Sequence, residues 1–326
     1  MLYIMWKLKN PHICRTILRS AKWPFSGKEH KREVVKHSTF CAYALTLKVH
    51  LLPTFGNADG ISESQAQQFV FDKLRVGLSC KSVHDIVAVM KSVVRFGAKH
   101  GIFPAETWDI SYPRSTAAKK LPVLSLADHK RLLNTLLAAP TTQNIGVLVA
   151  LCTGMRMGEV CALRWDHIDF KSRTIIVDGT FGRVYDCETR STDHYISSPK
   201  TRSSNREIPV SSQLLSALRK VRRLQIYGEY VVGNGLAPKD PRNYRETFVR
   251  MLRRMGIPRI VFHGLRHTFA TRCIESGCDV KTVSAILGHS NVATTLNLYV
   301  HPDLGQKKRC IDRLGRYMAA ASRRLI

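Results

Sequence analysis

Apolar residues recur at helical spacing through the first third of the chain. From Ser38 to Leu52, Phe40, Tyr43, Leu47 and Leu51 fall on one face and predict a helix that Pro53-Thr54-Phe55-Gly56 breaks. A second helix is expected from Ser62, where Ser-Glu-Ser provides a cap and Phe69, Phe71 and Leu74 follow. A third, from Ser79 to His100, carries the stripe Val83, Ile86, Val87, Met90, Val93 and Val94 and stops at Gly101. Residues 37–114 therefore read as a small all-helical domain.

The pattern then changes. Tyr112 to Lys120 mixes proline, serine, threonine, alanine and lysine, and residues 115–121 read as an extended linker into a second domain over 122–326. That domain opens with a helix capped by Ser125 and packed through Leu132, Leu133, Leu136 and Leu137. An apolar helix over Gly146–Cys152 ends at Thr153-Gly154, and a short one continues through Val160 to Leu163. Ile175-Ile176-Val177, Tyr195-Ile196 and Glu207-Ile208-Pro209-Val210 read as strands. The basic stretch 198–206 forms a hairpin tip between the latter two, and Phe181 to His194 is a polar, irregular insert. Helices are expected over Ser211–Ile226, Asn243–Met255, His263–Ser276 (closed by Gly277), Val280–Leu287, from about Asn291, and over Asp303–Ile326. In the last of these, Ile311, Leu314, Met318 and Leu325 are free to pack on the chain's own domain or on a neighbour. The fold class is mainly α with a small antiparallel β-sheet: a helical N-terminal domain and a mixed α/β C-terminal one.

Charge narrows the choice of partner. The chain of 326 residues has a formal net charge of +27. Residues 1–36 hold nine Lys/Arg against two acids, residues 37–114 eight against six, and residues 115–326 the remaining 34 against 16. Such an excess points to a polyanion, most simply nucleic acid, with the C-terminal part as the main footprint. The arginine-rich helices 211–226 and 243–255 suit a phosphate backbone. Among the weakly charged helices, Lys81, Lys91, Arg95 and Lys99 read as ordinary solvated lysines and arginines. Residues 1–36 are a basic arm, either flexible or part of a DNA-binding module. The nine cysteines form no Cys-x-x-Cys pair, which suits a reducing cytosol and speaks against a zinc ribbon. Met1 to Leu8 is too short to span a membrane, so the expectation is a cytoplasmic, DNA-associated protein without a membrane partner.

Candidate chemistry concentrates near the C-terminus. His263-Gly264-Leu265-Arg266-His267 places His263 and Arg266 on one helical face. Leu287-Gly288-His289 follows, and Thr294-Thr295-Leu296-Asn297-Leu298-Tyr299 ends the run. One guanidinium, imidazoles and a phenol are the tools a phosphodiester under attack requires: charge neutralisation, proton movement and a nucleophile. Arg156, directly after Thr153-Gly154-Met155, is either a rigidly held phosphate ligand or a surface residue paired with Glu159.

The order His-x-x-Arg, Leu-Gly-His, then Tyr ten residues on (many members have nine) resembles the tyrosine recombinases, the phage-integrase family of site-specific DNA recombinases. The longer interval looks most like integrases of conjugative transposons and related phages. Thr153-Gly154-Met155-Arg156-Met157-Gly158-Glu159 is similar to the family's Thr-Gly-x-Arg-x-x-Glu. Lys200, before Thr201 and Arg206-Glu207-Ile208-Pro209, matches a lysine that reaches the cleavage site. The resemblance implies a core-binding domain over 37–114 that clamps the opposite face of the duplex, and a catalytic domain over 122–326. It implies six catalytic residues: Arg156, Lys200, His263, Arg266, His289 and Tyr299. Tyr299 would form a 3′-phosphotyrosyl link to double-stranded DNA between two arginines. Lys200 would protonate the leaving oxygen, His263 assist the phenol's proton, and His289 bind phosphate, while Glu159 buttresses and His267 is structural. A homotetramer assembled on DNA, the C-terminal helix docked on an adjacent protomer, and no cofactor or metal are implied as well. The rivals are a catalytically idle DNA-binding protein on the same fold, a resolvase of the Xer kind, a type IB topoisomerase and a zinc hydrolase using His263 and His267; the last lacks a Glu between its histidines and places Arg266 beside the metal.

Overall fold

A computed structural model describes residues 35–56, 58, 60–99, 107–113, 122–187, 189–197, 205–224, 228–299 and 304–322. Lys200, most of the basic arm, most of the linker and Leu325 lie outside the described residues. The chain divides into two compact units, Met1–Lys119 with Arg183–His194, and Lys120–Gly182 with Tyr195–Ile326.

The first unit is helical. Helix α1 (His37–Thr46) does not end where Pro53 was expected to break it; a π-helical turn (Leu47–Leu51) carries the chain into α2 (Leu52–Phe55). The wider turn moves aside the carbonyl that a proline ring would strike, and the residue without an N–H falls in the first turn of α2. Helix α3 (Glu63–Arg75) starts with a reciprocal cap: Ser62 Oγ accepts from Gln65 N–H while Gln65 accepts from Ser62 N–H. Helix α4 (Cys80–Lys99) buries Val83, Ile86, Val87, Met90 and Val94 against Leu47, Leu51, Phe69 and Trp108. Of the apolar residues on α3, Phe69 is buried and Phe71 is exposed. Lys91 is not a free surface cation, since its Nζ donates to the Trp108 carbonyl at 3.0 Å.

The second unit is built around α6 (Ile145–Thr153), in which every residue but Cys152 is buried. Helices α5 (Leu126–Ala138), α7 (Met157–Ala162), α8 (Ser212–Leu224) and α10 (His263–Glu275) all contact it. Helix α9 (Pro241–Arg254), whose first turn is capped by Asp240, adds Tyr244, Phe248 and Leu252 to the same core. Strands β1 (Ile168–Asp169), β2 (Thr174–Val177) and β5 (Arg206–Pro209) make one antiparallel sheet, with Ile175 opposite Ile168 and Ile208. Strands β3 (Thr180–Asp186) and β4 (Ser191–Ser197), whose residues 183–194 belong to the first unit, pair with each other. One expectation changes as a result: the stretch 181–194 is not irregular. The expected hairpin tip over 198–206 falls mostly on residues 198–204, which lie outside the described residues. The misleading polarity of 181–194 has a simple cause: β4 is exposed or half-buried throughout, so no apolar alternation marks it.

Three further helices complete the unit: α11 (Val280–Leu287), α12 (Val292–Tyr299) and α13 (Leu304–Ser322). Ile311, Leu314, Tyr317 and Met318 of α13 are exposed. No helix among the described residues is long and apolar enough to cross a membrane.

Candidate active site

Two glycine turns present the site. Helix α6 ends at Gly154 with φ of 68°, and α11 ends at Gly288 with φ of 66°. Both are left-handed C-caps, which a side chain adopts only at a cost. Gly154 has no room for one either: a Cβ would lie 2.6 Å from Leu287 Cδ2 and 2.7 Å from Phe269 Cδ1. Each turn aims the next functional side chain, Arg156 from the first and His289 from the second.

The turns are tied together by arginines. Arg266, buried on α10, donates from Nη1 to the Gly154 carbonyl at 3.0 Å. Arg156 Nη2 reaches the Gly288 carbonyl at 3.4 Å. Arg156 Nη1 and its backbone N–H both donate to the Glu159 carboxylate at 2.8 Å. From the other side, Arg206 donates to Glu159 Oε2 at 2.9 Å and to the Ile286 carbonyl at 2.6 Å. Burial pushes the Glu159 carboxyl up, but hydrogen bonds and charge from Arg206 and Arg156 outweigh it and hold it below the usual carboxylate range. Glu159 is thus the acid between two arginines, buried with Arg206 and fixing the angle of the half-exposed Arg156.

Arg266 has more donors than the protein satisfies: its Nη2 is buried without a hydrogen-bond partner. Burial first, then the charge of Arg156, bring its pKa down to about 9. The guanidinium remains charged near neutrality, and among the described residues no carboxylate is in direct contact with it, Glu159 acting only from a distance. The three histidines around it are kept neutral. His289 is lowered to about 4 by burial and by Arg266, Arg156, His263 and Arg206. Its Nδ1 bonds Thr295 Oγ1 at 2.8 Å, which leaves Nε2 for a ligand. His263 keeps an exposed face at the head of α10 and is lowered by desolvation and by Arg266 and Arg156.

Tyr299 ends α12 and packs with Ala270, Val283 and Leu287. Its Oη shares a 2.6 Å hydrogen bond with His267 Nδ1. Burial raises the phenol above its ordinary value, although Arg266 and Arg156 pull it down. Five of the six candidates, Arg156, His263, Arg266, His289 and Tyr299, come together here, and Lys200 lies outside the described residues. Two participants were not singled out from the sequence. Arg206 had only its place in Arg-x-Ile-Pro to suggest it, and His267 was set down as structural for want of any sign of its partner.

Such a cluster, with spare cationic donors beside a phenol and neutral imidazoles, can grip a singly charged phosphodiester and attack it. Comparison with known proteins gives the family and the fold. Residues 122–305 match the pattern of the phage integrase family. A XerC-like tyrosine recombinase of Caldanaerobacter subterraneus is 33% identical over 188 residues, covering 51% of this chain and 47% of that protein. The transposase from transposon Tn916 of Enterococcus faecalis is 29% identical, covering 52% and 45%. The chain therefore spans about half the length of these two relatives. The tyrosine recombinase XerC of Xanthomonas campestris is 28% identical over 260 residues, covering 77% and 73%. Among solved structures, the Tn1549 transposon integrase in complex with a circular intermediate DNA superposes with a TM-score of 0.73 at 23% identity, over 91% of this chain and 99% of that one. Lambda integrase residues 75–356 bound to DNA give 0.57 at 16%, over 83% and 92%. At such identities the structural likeness speaks for the fold.

Proposed function

Because the chain belongs to the phage integrase family, we propose that it is a site-specific DNA recombinase that cuts and rejoins strands through a 3′-phosphotyrosyl intermediate on Tyr299. Arg156 and Arg266 hold the non-bridging oxygens and offset charge that grows in the transition state. His289 donates to the same phosphate through Nε2, and His263 faces it from the head of α10. Lys200 protonates the departing 5′-oxygen. The ester stores the energy of the broken bond, so a second 5′-hydroxyl can reverse the step on a new strand. Integration, excision and resolution all consist of this exchange.

What supports the reading is the convergence on one phenol. Arg156 and Arg266, 110 positions apart in sequence, are brought together at the Gly288 and Gly154 turns by hydrogen bonds to their carbonyls, and both draw the Tyr299 phenol down against the larger, raising effect of burial. In this proposal the helical domain over 37–114 grips the far side of the duplex and four copies assemble on DNA. The exposed apolar residues of α13 pack on a neighbouring copy. The test is incubation with nicked duplexes tiled across the DNA flanking its own gene. The parent chain should give a denaturation-resistant adduct, and Tyr299→Phe should bind the same duplexes and give none. An adduct persisting in Tyr299→Phe would remove this tyrosine from the mechanism.

A further inference from the structure

We propose that His267 is a catalytic residue, the acceptor of the phenolic proton of Tyr299; this rests on the strand-transfer reading above and moves to His267 a role that sequence alone assigned to His263. The first ground is contact. His267 Nδ1 lies 2.6 Å from Tyr299 Oη, and both residues are buried. Among the described residues His263 makes no hydrogen bond or ring contact with Tyr299; its ring stands edge-on to the His267 imidazole with centroids 4.7 Å apart.

The second ground is the direction of the hydrogen bond. Among the described residues, Tyr299 Oη has no other hydrogen-bond partner, and the charged groups acting on it are the guanidinium groups of Arg266 and Arg156, which only donate. A phenol among donors needs an acceptor for its own proton. A neutral imidazole with its hydrogen on Nε2 offers Nδ1 for that purpose. His267 is held neutral to about 4 by burial and by His263 and Arg266. The charged and titratable groups around the pair are thus His263 and Arg266 from α10 and Arg156 from the head of α7.

The step balances. The O–H bond of Tyr299 breaks and its proton passes to His267 Nδ1, giving an imidazolium. The freed oxygen bonds phosphorus, the P–O5′ bond breaks, and the 5′-oxygen takes a proton from Lys200. Religation returns each proton. Binding of the phosphodiester favours the transfer, because its negative charge offsets the arginine charge that keeps His267 from accepting a proton. The base gains strength when substrate arrives.

The test uses the full chain, the tiled nicked duplexes and three variants: His267→Gln, His267→Ala and His263→Gln. Adduct formation is followed under single-turnover conditions from pH 6 to 9, with DNA affinity and thermal melting as controls for folding. The parent rate should be nearly flat with pH. His267→Gln should be slower by about 100-fold or more at neutral pH. Its rate should climb about tenfold per pH unit, because phenolate must then form by loss of the proton to solvent. Added imidazole should speed His267→Ala, and His263→Gln should keep the flat profile. A His267→Gln chain that binds DNA and cleaves at the parent rate with the parent profile overturns the proposal. So does a His263→Gln chain that acquires the steep profile in its place. No adduct from the parent on any duplex sinks the strand-transfer reading, and this inference with it; an unaltered His267→Gln profile sinks the inference alone.

Discussion

Arg266 is a buried cation whose protein ligand is the Gly154 carbonyl, with Nη2 left unpartnered. Desolvating a charge without pairing it costs several kcal/mol, which the proposed phosphodiester substrate would repay on binding. A lysine keeps the charge but loses the planar fork that grips two oxygens. Arg266→Lys should therefore slow adduct formation by about 100-fold or more, as loss of one transition-state donor does, with thermal melting showing the fold retained. An unchanged rate would mean that the guanidinium is only structural. Glu159 makes the complementary case. Replacing it with Gln leaves Arg206 and Arg156 facing a neutral group, and losing one partner of a buried pair costs roughly 3–5 kcal/mol. Urea denaturation measures that loss, and a variant as stable as the parent would contradict the buttress. Acid sensitivity follows from the imidazoles. In the unfolded chain His267 and His289 protonate near about 6.5, whereas in the fold both stay neutral down to about 4. Between those values the unfolded state binds more protons, so stability is full above the upper value and falls as pH drops through the window. His267→Gln should lessen the drop in urea midpoint between pH 7 and 4.5; an equal drop would show that His267 titrates normally.

At the scale of elements, the site depends on helix ends rather than helix faces. The Gly154 turn aims Arg156, and the Gly288 turn aims His289. Gly154→Ala forces a left-handed alanine and a contact of 2.6 Å with Leu287, a combination that should cost about 2 kcal/mol or more. It should slow adduct formation more than a stability loss alone would, and equal falls in both would show that the turn merely supports the fold. Helix ends were also what the sequence showed well. Ser62, Ser125, Gly154, Gly277 and Gly288 mark real boundaries because capping is local chemistry, written within a few residues. Interactions between distant residues were not legible. Nothing near Arg206 announces Glu159, 47 positions away, and nothing near His267 announces Tyr299, 32 away. The β3–β4 hairpin was hidden because neither face of β4 is buried, and the run through Pro53 because a π-turn has no simple residue pattern.

For the molecule as a whole, a net charge of +27 makes the proposed DNA binding an ion-exchange process. If it neutralises about 6–10 phosphates, affinity should fall by about 1,000- to 100,000-fold between 50 and 200 mM salt. Fluorescence anisotropy with a duplex gives the slope, and a salt-insensitive affinity would contradict an electrostatic footprint. The chemistry itself is tested most directly by locating the covalent bond. The adduct is trimmed with nuclease, digested with a protease and sequenced by mass spectrometry. The account predicts nucleotide mass on the peptide that carries Tyr299, joined through the 3′-phosphate. Nucleotide on any other residue, or a 5′-phosphate linkage, would contradict it.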